Sequence, residues 1–266
     1  SVPTITTIHD LIPLLLPEYR GGPAVRLYTA LVSRAARKAV LVLTDSEASR
    51  RDIVTHLKLP PERVRAIYLA AGEQYSPTPY PGETAIRAQY ELPERYVLYL
   101  GPFDVRKNLA STLAAYHQAA PIIGESCPLV IAGKLPETDT PFAPDPRRLA
   151  REQGLDEKLV RFVGVVDEAD APAIYRGATA FVFPSHYEGF GLPPLEALAC
   201  GTPVIGSNTS SIPEIVGDGG LLMAPDDIEG MAKALVRLTS DDSLYIDMGS
   251  RALAQAAKFS WSQTTQ

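Results

Sequence analysis

The sequence predicts an α/β fold, with parallel sheets covered by helices on both faces. Three observations predict it. Short apolar runs recur along the 266 residues and are near-continuous rather than alternating, as strands buried on both faces read. Helix-like stretches lie between them, so strand and helix signals alternate at roughly 20–30 residues, the rhythm of βαβ units. The third observation is local. Ser185–Gly201, SHYEGFGLPPLEALACG, follows the apolar run TAFVFP and leads into the helix-like LEALAC: a strand, a glycine loop and a helix start.

Taken in order, the first strand signals are TITTI (4–8), AVLVLTD (39–45) and VRAIYLA (64–70), separated by helix-like VRLYTALVSRAARKA (25–39) and SEASRRDIVTHLK (46–58). Ser46, followed by Ser49 and Asp52, suits the start of the second helix, and Ser46 reads first as its cap. Three strands are few for an independent α/β domain, so residues 1–83 read as the second half of one with a linker. The chain divides near 76–95, where SPTPYPGETAIRAQYELPER holds four prolines and a short helical piece. Residues 84–258 carry the strand signals YVLYLG (96–101), PLVIAG (128–133), VRFVGVV (160–166), TAFVFP (179–184), PVIGS (203–207) and GLLMA (220–224). Helices are expected at 108–120, 171–178, 228–240 and 243–259. Right-handed crossovers then make this part a Rossmann-like domain. Residues 259–266 read as the start of a further, truncated segment.

Composition excludes several classes. The chain is 45% hydrophobic and 21% charged, ordinary globular usage. No apolar run approaches the ~20 residues that span a bilayer. Two cysteines, Cys127 and Cys200, give no disulfide framework, which suits a reducing, cytoplasmic compartment. A net charge of −6 argues against broad nucleic-acid binding. An anionic ligand must then be held by local donors.

The glycine loop supplies such donors. Glu188 and Glu196 flank it, with Gly189, Gly191, Pro193 and Pro194 between them. Glycines let a ligand approach the backbone, and proline suits a first helical turn. Both glutamates can point into the crevice at the strand's carboxyl end, where open α/β sheets bind ligands. Taken alone, a glutamate such as Glu196 in a first helical turn is more often only a partner of the helix dipole. A second element, GPFDVRKN (Gly101–Asn108), also lies between a strand and a helix. Arg106 and Lys107 oppose the helix dipole there, which an anion nearby would explain. His9 and Asp10 directly follow the first strand. Asp10 either fixes the turn or sets the His9 tautomer. His56, His117 and His186 have no metal-ligand spacing.

EGFGLPPLEALACGTPVI resembles the E-x7-E signature of the retaining glycosyltransferases of family 4. TIHDLIPLLLPEY, TDSEASRRDI and VRAIYLAAGEQYSP resemble segments of that family's N-terminal domain, although Ala71 stands where the family usually has asparagine. The resemblance implies a GT-B fold, two Rossmann-like domains with the site between them. Here these would be a donor-binding domain and the partial second half of an acceptor domain, the opening part of a full enzyme being absent. It further implies roles. Glu188 would contact hydroxyls of the donor sugar and Glu196 the ribose of its nucleotide. Amides of Gly189, Phe190, Gly191 and Leu192 would hold the diphosphate. Arg106 and Lys107, beside Gly101, would meet it from the side opposite the glutamate loop. They would bear that charge alone, because Pro102 replaces an arginine common in the family. Lys134 and Val166 are candidates for the base, and His9 would face the donor across the cleft.

The implied reaction is transfer of a mannosyl or glucosyl group from a nucleotide diphosphate sugar to a hydroxyl acceptor, with retention and without metal or resident cofactor. GDP-mannose and UDP-glucose both stay open as donor, with overall likeness leaning to GDP-mannose. The acceptor would be a glycan or a lipid-linked one, as in polysaccharide biosynthesis. The expected partners also include the inner face of the membrane, through the absent N-terminal part, and a second copy through the unfinished sheet. Expected of the chain alone is nucleotide binding with little or no transfer. Rival readings are a silent nucleotide-sugar or glycan-binding module, another GT-B enzyme such as a nucleotide-sugar epimerase, and a dehydrogenase. The last lacks a G-x-G-x-x-G loop with an acid ~20 residues on.

Overall fold

The computed structural model describes residues 2–265. They form two parallel sheets. The first has the order β1 (Ile5–Thr7), β2 (Leu41–Thr44) and β3 (Val64–Ala66). Its register pairs Ile5 with Leu41 and Val42 with Val64. The connections run through α1 (Ile12–Leu15), α2 (Pro23–Lys38) and α3 (Glu47–Leu57). Ile8, Val42, Ile53, Leu57 and Val64 close a small core beneath them. Most of α2 lies outside that core, with Leu27, Tyr28 and Leu31 exposed.

The chain then passes α4 (Glu83–Gln89) into a six-stranded sheet. Its strands are β4 (Val97–Leu100), β5 (Leu129–Ala132), β6 (Val160–Gly164), β7 (Ala180–Phe183), β8 (Val204–Ser207) and β9 (Gly220–Met223). They lie in the order β6-β5-β4-β7-β8-β9, all parallel. Alternate residues of β4 feed two cores. Val97 and Tyr99 face one side, with Leu113 and Tyr116 of α5 (Leu109–Ile123). Leu98 faces the other, with Ile174 of α7 (Ala171–Gly177) and Ala197 of α8 (Leu192–Ala199). Between β5 and β6 lies α6 (Pro146–Glu152), a helix the sequence reading did not anticipate. The remaining helices are α9 (Ile212–Val216), α10 (Ile228–Ser240), α11 (Asp242–Ala256) and α12 (Trp261–Thr264). α5 runs three residues past its expected end, through Pro121. Buried Ala119, Ala120 and Ile123 hold that last turn against the core despite the missing amide proton.

The strand order reverses direction between β4 and β7. In such sheets the crevice opens there, outside the carboxyl ends of the strands. The loops after β4 and β7, far apart in sequence, therefore become neighbours. The two halves of the chain also meet there. Phe190, Leu195 and Ile215 pack against Leu69 and Phe259, and Thr264 Oγ1 donates to the Tyr68 carbonyl at 2.7 Å. Among the described residues no helix is long and apolar enough to cross a membrane.

Candidate functional site

The loop after β4 presents Arg106 and Lys107, and the loop after β7 presents Glu188. One carboxylate oxygen, Glu188 Oε1, lies 2.7 Å from both Lys107 Nζ and Arg106 Nη1. All three side chains are only 10–11% exposed. The two cations thus touch the glutamate loop directly instead of facing it across a gap. Lys107 also lies 4.8 Å from the centre of the Phe183 ring. Burial pushes the Lys107 pKa down from the ordinary lysine value, and Glu188 offsets part of that. For Arg106 the balance is reversed. Burial opposes its charge, but Glu188, Tyr19 and Asp104 hold its pKa above the usual range.

The first half of the chain reaches into this cluster. Arg106 Nε donates to Tyr19 Oη at 3.3 Å, and the Tyr19 hydroxyl donates in turn to Asp104. The guanidinium lies 5.5 Å from the centre of the Tyr19 ring. Arg106 Nη1 also donates to the Tyr187 carbonyl at 2.8 Å. The arginine therefore has little freedom to swing away.

The glycine loop is clamped from both sides. Ser46 Oγ and Ser49 Oγ donate to the Gly189 carbonyl at 2.6 and 3.0 Å. Ser46 also caps α3, accepting the Ser49 amide, so its capping role and an interdomain bond coexist. The Tyr187 hydroxyl donates to Asp52 at 2.6 Å. Ser211 Oγ donates to the Glu188 and Phe190 carbonyls, and Ser210 Oγ accepts the Glu188 amide. Gly189 lies close against Asp10, and a Cβ there would stand 2.9 Å from Asp10 Oδ2, so that side chain would have to shift. Gly191 has φ of +117°, a conformation that favours glycine, and it opens α8 at Leu192. The Phe190 side chain is buried in the interdomain apolar cluster. A further cross-contact comes from α9: the Glu214 carboxylate accepts the Glu47 and Ala48 amides, both at 2.9 Å. It caps α3 from the other half of the chain.

His9 stands at the end of β1 with its ring 73% exposed and Nδ1 2.7 Å from Asp45 Oδ2. A neutral ring that donates from Nδ1 leaves Nε2 as an outward acceptor. Asp45, not Asp10, is thus the residue that sets the tautomer. Asp10 fixes the turn, its Oδ1 accepting the Ile12 amide at 2.8 Å. Burial raises the Asp10 pKa, and the Ile12 amide and Arg106 oppose that rise.

Glu196 does not join the ionic cluster. It rides on α8 and lines a separate cavity of about 250 Å³ with Gly101, Gly133, Val166, Tyr75 and Tyr175. The Tyr175 hydroxyl donates to Glu196 Oε2 at 3.2 Å. Burial raises the Glu196 pKa, against that hydrogen bond. Of the two base candidates, Val166 lines the cavity, whereas Lys134 is exposed and is not among its walls. Sequence reasoning missed Tyr19, Asp104, Asp45 and Glu214. Each meets a partner distant in sequence, so no local spacing could have marked it.

The family described as Glycosyl transferases group 1 matches residues 94–241, and the one described as Glycosyltransferase Family 4 matches residues 1–70. The O-antigen chain mannosyltransferase B of Escherichia coli is 35% identical over 262 residues, which cover 98% of this chain and 68% of that protein. The serotype-specific mannosyltransferase WbdA of Escherichia coli is 33% identical over 265 residues, again 98% of this chain but 32% of that protein. The solved sucrose-phosphate synthase from Thermosynechococcus elongatus superimposes with a TM-score of 0.77 at 28% identity. That match covers 98% of this chain and 64% of that one. The chain thus spans about two thirds of some relatives and about a third of others. The matches run across both sheets and the crevice between them, in the arrangement called GT-B, and the chain belongs to the group 1 family of glycosyl transferases.

Proposed function

We propose that the protein transfers a hexosyl group, by its likeness to mannosyltransferases a mannosyl group, from a nucleoside diphosphate sugar to a hydroxyl acceptor with retention of configuration. The observation that carries this reading is the buried Arg106–Lys107–Glu188 cluster beside the Glu196 cavity. Two desolvated cations held against one carboxylate suit a diphosphate whose charge grows as the sugar–phosphate bond loosens. In a water-poor crevice such preorganised charge acts strongly on the leaving group. Glu188 then serves the sugar hydroxyls and Glu196 the ribose. The departing phosphate takes the acceptor proton on the same face, because Glu188 is held by both cations and so is not free to act as a glycosidase-like nucleophile. His9, with Nε2 outward, faces the sugar and acceptor. The mannosyltransferase relatives support the sugar class.

Calorimetric titration with nucleoside diphosphates tests the reading. Arg106→Ala and Glu196→Gln should each weaken binding by roughly 1–3 kcal/mol, the range for hydrogen bonds to charged groups. Unchanged affinity in both would reject it. Tight binding without any hexosyl transfer or donor hydrolysis would favour a binding module instead.

A further inference from the structure

The cavity beside Glu196 holds a second carboxylate to which the donor reading gives no role. Glu168 lies between β6 and α7 and lines the same cavity as Gly133, Val165, Val166 and Glu196. The hydrogen bonds of its loop go to its neighbours. The Asp167 amide donates to Tyr90 Oη and the Tyr80 hydroxyl to the Ala169 carbonyl, while among the described residues none ends on the Glu168 side chain. Glu196 is partly buried and Glu168 exposed, so the apolar wall of Val165, Val166 and Ala171 lies in a cavity with two unlike carboxylates.

We propose that Glu168 makes this cavity selective for a guanine base. The inference rests on the nucleoside diphosphate sugar reading and deepens it. An ionised carboxylate is acceptor-only and takes two parallel N–H groups best. Guanine offers such a pair on one edge, the N1–H and the 2-amino group side by side. Uracil offers a single N3–H flanked by two carbonyl oxygens, which a carboxylate repels. Adenine sets an acceptor nitrogen beside its amino group. With Glu196 committed to the ribose, Glu168 is the group in this cavity that can read the base edge by charge. A site built to hydrogen-bond a substrate N–H rejects analogues that lack it.

The test is calorimetric titration of the whole chain and of Glu168→Gln with GDP, IDP, ADP and UDP. IDP differs from GDP only by the missing 2-amino group. The wild type should bind GDP most tightly and IDP about tenfold more weakly, with UDP and ADP weaker still, as expected for losing part of a charged hydrogen-bond pair. Glu168→Gln should lose at least tenfold for GDP, and the GDP–IDP gap should close. The GDP–IDP comparison on the wild type decides even if the variant does not fold. Equal GDP and IDP affinities, or UDP binding as tightly as GDP, would overturn the guanine assignment alone. Failure to bind any of the four would remove the donor reading and this assignment with it.

Discussion

Replacing Glu188 by glutamine removes the anion that Lys107 and Arg106 share, and the cost can be worked from the structure. Arg106 keeps Asp104 at 3.8 Å, the Tyr19 hydroxyl and the Tyr187 carbonyl. Lys107 keeps the face of Phe183, a more distant pull from Asp104 and a neutral amide oxygen where the carboxylate stood. The loss therefore falls mainly on Lys107. Breaking a buried ion pair from one side costs about 3–5 kcal/mol. A second route gives a ceiling. Instead of staying charged and unpaired, Lys107 can give up its proton. Holding a lysine of ordinary pKa ~10.4 neutral at pH 7 costs about 4.6 kcal/mol, at 1.36 kcal/mol per pH unit. The two figures agree, so a deficit of about 4 kcal/mol is expected at pH 7. The sign of its pH dependence follows. A lysine with a lowered folded pKa binds fewer protons when folded than when unfolded, so stability rises with pH. At pH 9 the ceiling falls to about 1.9 kcal/mol, and the deficit should shrink accordingly. Urea unfolding of wild type and Glu188→Gln at both pH values measures this. The double variant Glu188→Gln, Lys107→Met should recover most of the loss, because removing both partners leaves little uncompensated charge. A nucleoside diphosphate at a hundred times its Kd should add about 2.7 kcal/mol to any variant that binds it. A deficit below about 1 kcal/mol, or one that does not change with pH, would refute the picture of a buried lysine dependent on Glu188.

Two further outcomes are expected. Burial raises the Glu196 pKa above its unfolded value of 4.5, so its contribution to stability is present below that value and lost as pH rises through the folded pKa. Glu196→Gln should flatten that fall, and parallel melting curves of wild type and variant between acid and neutral pH would contradict it. Glu214→Ala removes the acceptor for the Glu47 and Ala48 amides and should cost about 1–2 kcal/mol, as lost helix caps do. Hydrogen exchange at those two amides should quicken, and unchanged protection would show that Glu214 does not hold α3.

The sheet strands were legible because parallel strands buried on both faces cannot hide: VLYL, LVIA and AFVF have no polar residue to blur them. The glycine loop was legible because Gly191, at φ of +117°, answers a local backbone demand, whereas the crowding of Gly189 by Asp10 comes from the other half of the chain. The arrangement around it was less so. Glu188 and Glu196 look like one pair on paper. In the fold the loop turns Glu188 onto Lys107, and α8 carries Glu196 onto Tyr175. Which of His9's acidic neighbours fixes it depends on β1 and β2 lying side by side, which brings Asp45 closer than the adjacent Asp10. α6 escaped because PRRLARE is short and mostly polar, leaving its start to the Asp145 cap and the buried Pro146 and Ala150.

The Gly189 carbonyl is held by two hydroxyls, Ser46 and Ser49, that belong to the opposite half of the chain, and Tyr187 leans on Asp52 there. This bears on how related enzymes exchange parts. A graft of residues 84–258 onto a foreign first half carries the whole glycine loop in its sequence but not the groups that shape it. Such chimeras should keep their fold and lose loop geometry wherever the new half lacks hydroxyls matching positions 46 and 49. The trait a breeder of these enzymes would wish to move then travels with three residues on α3 and its cap that lie outside the grafted half.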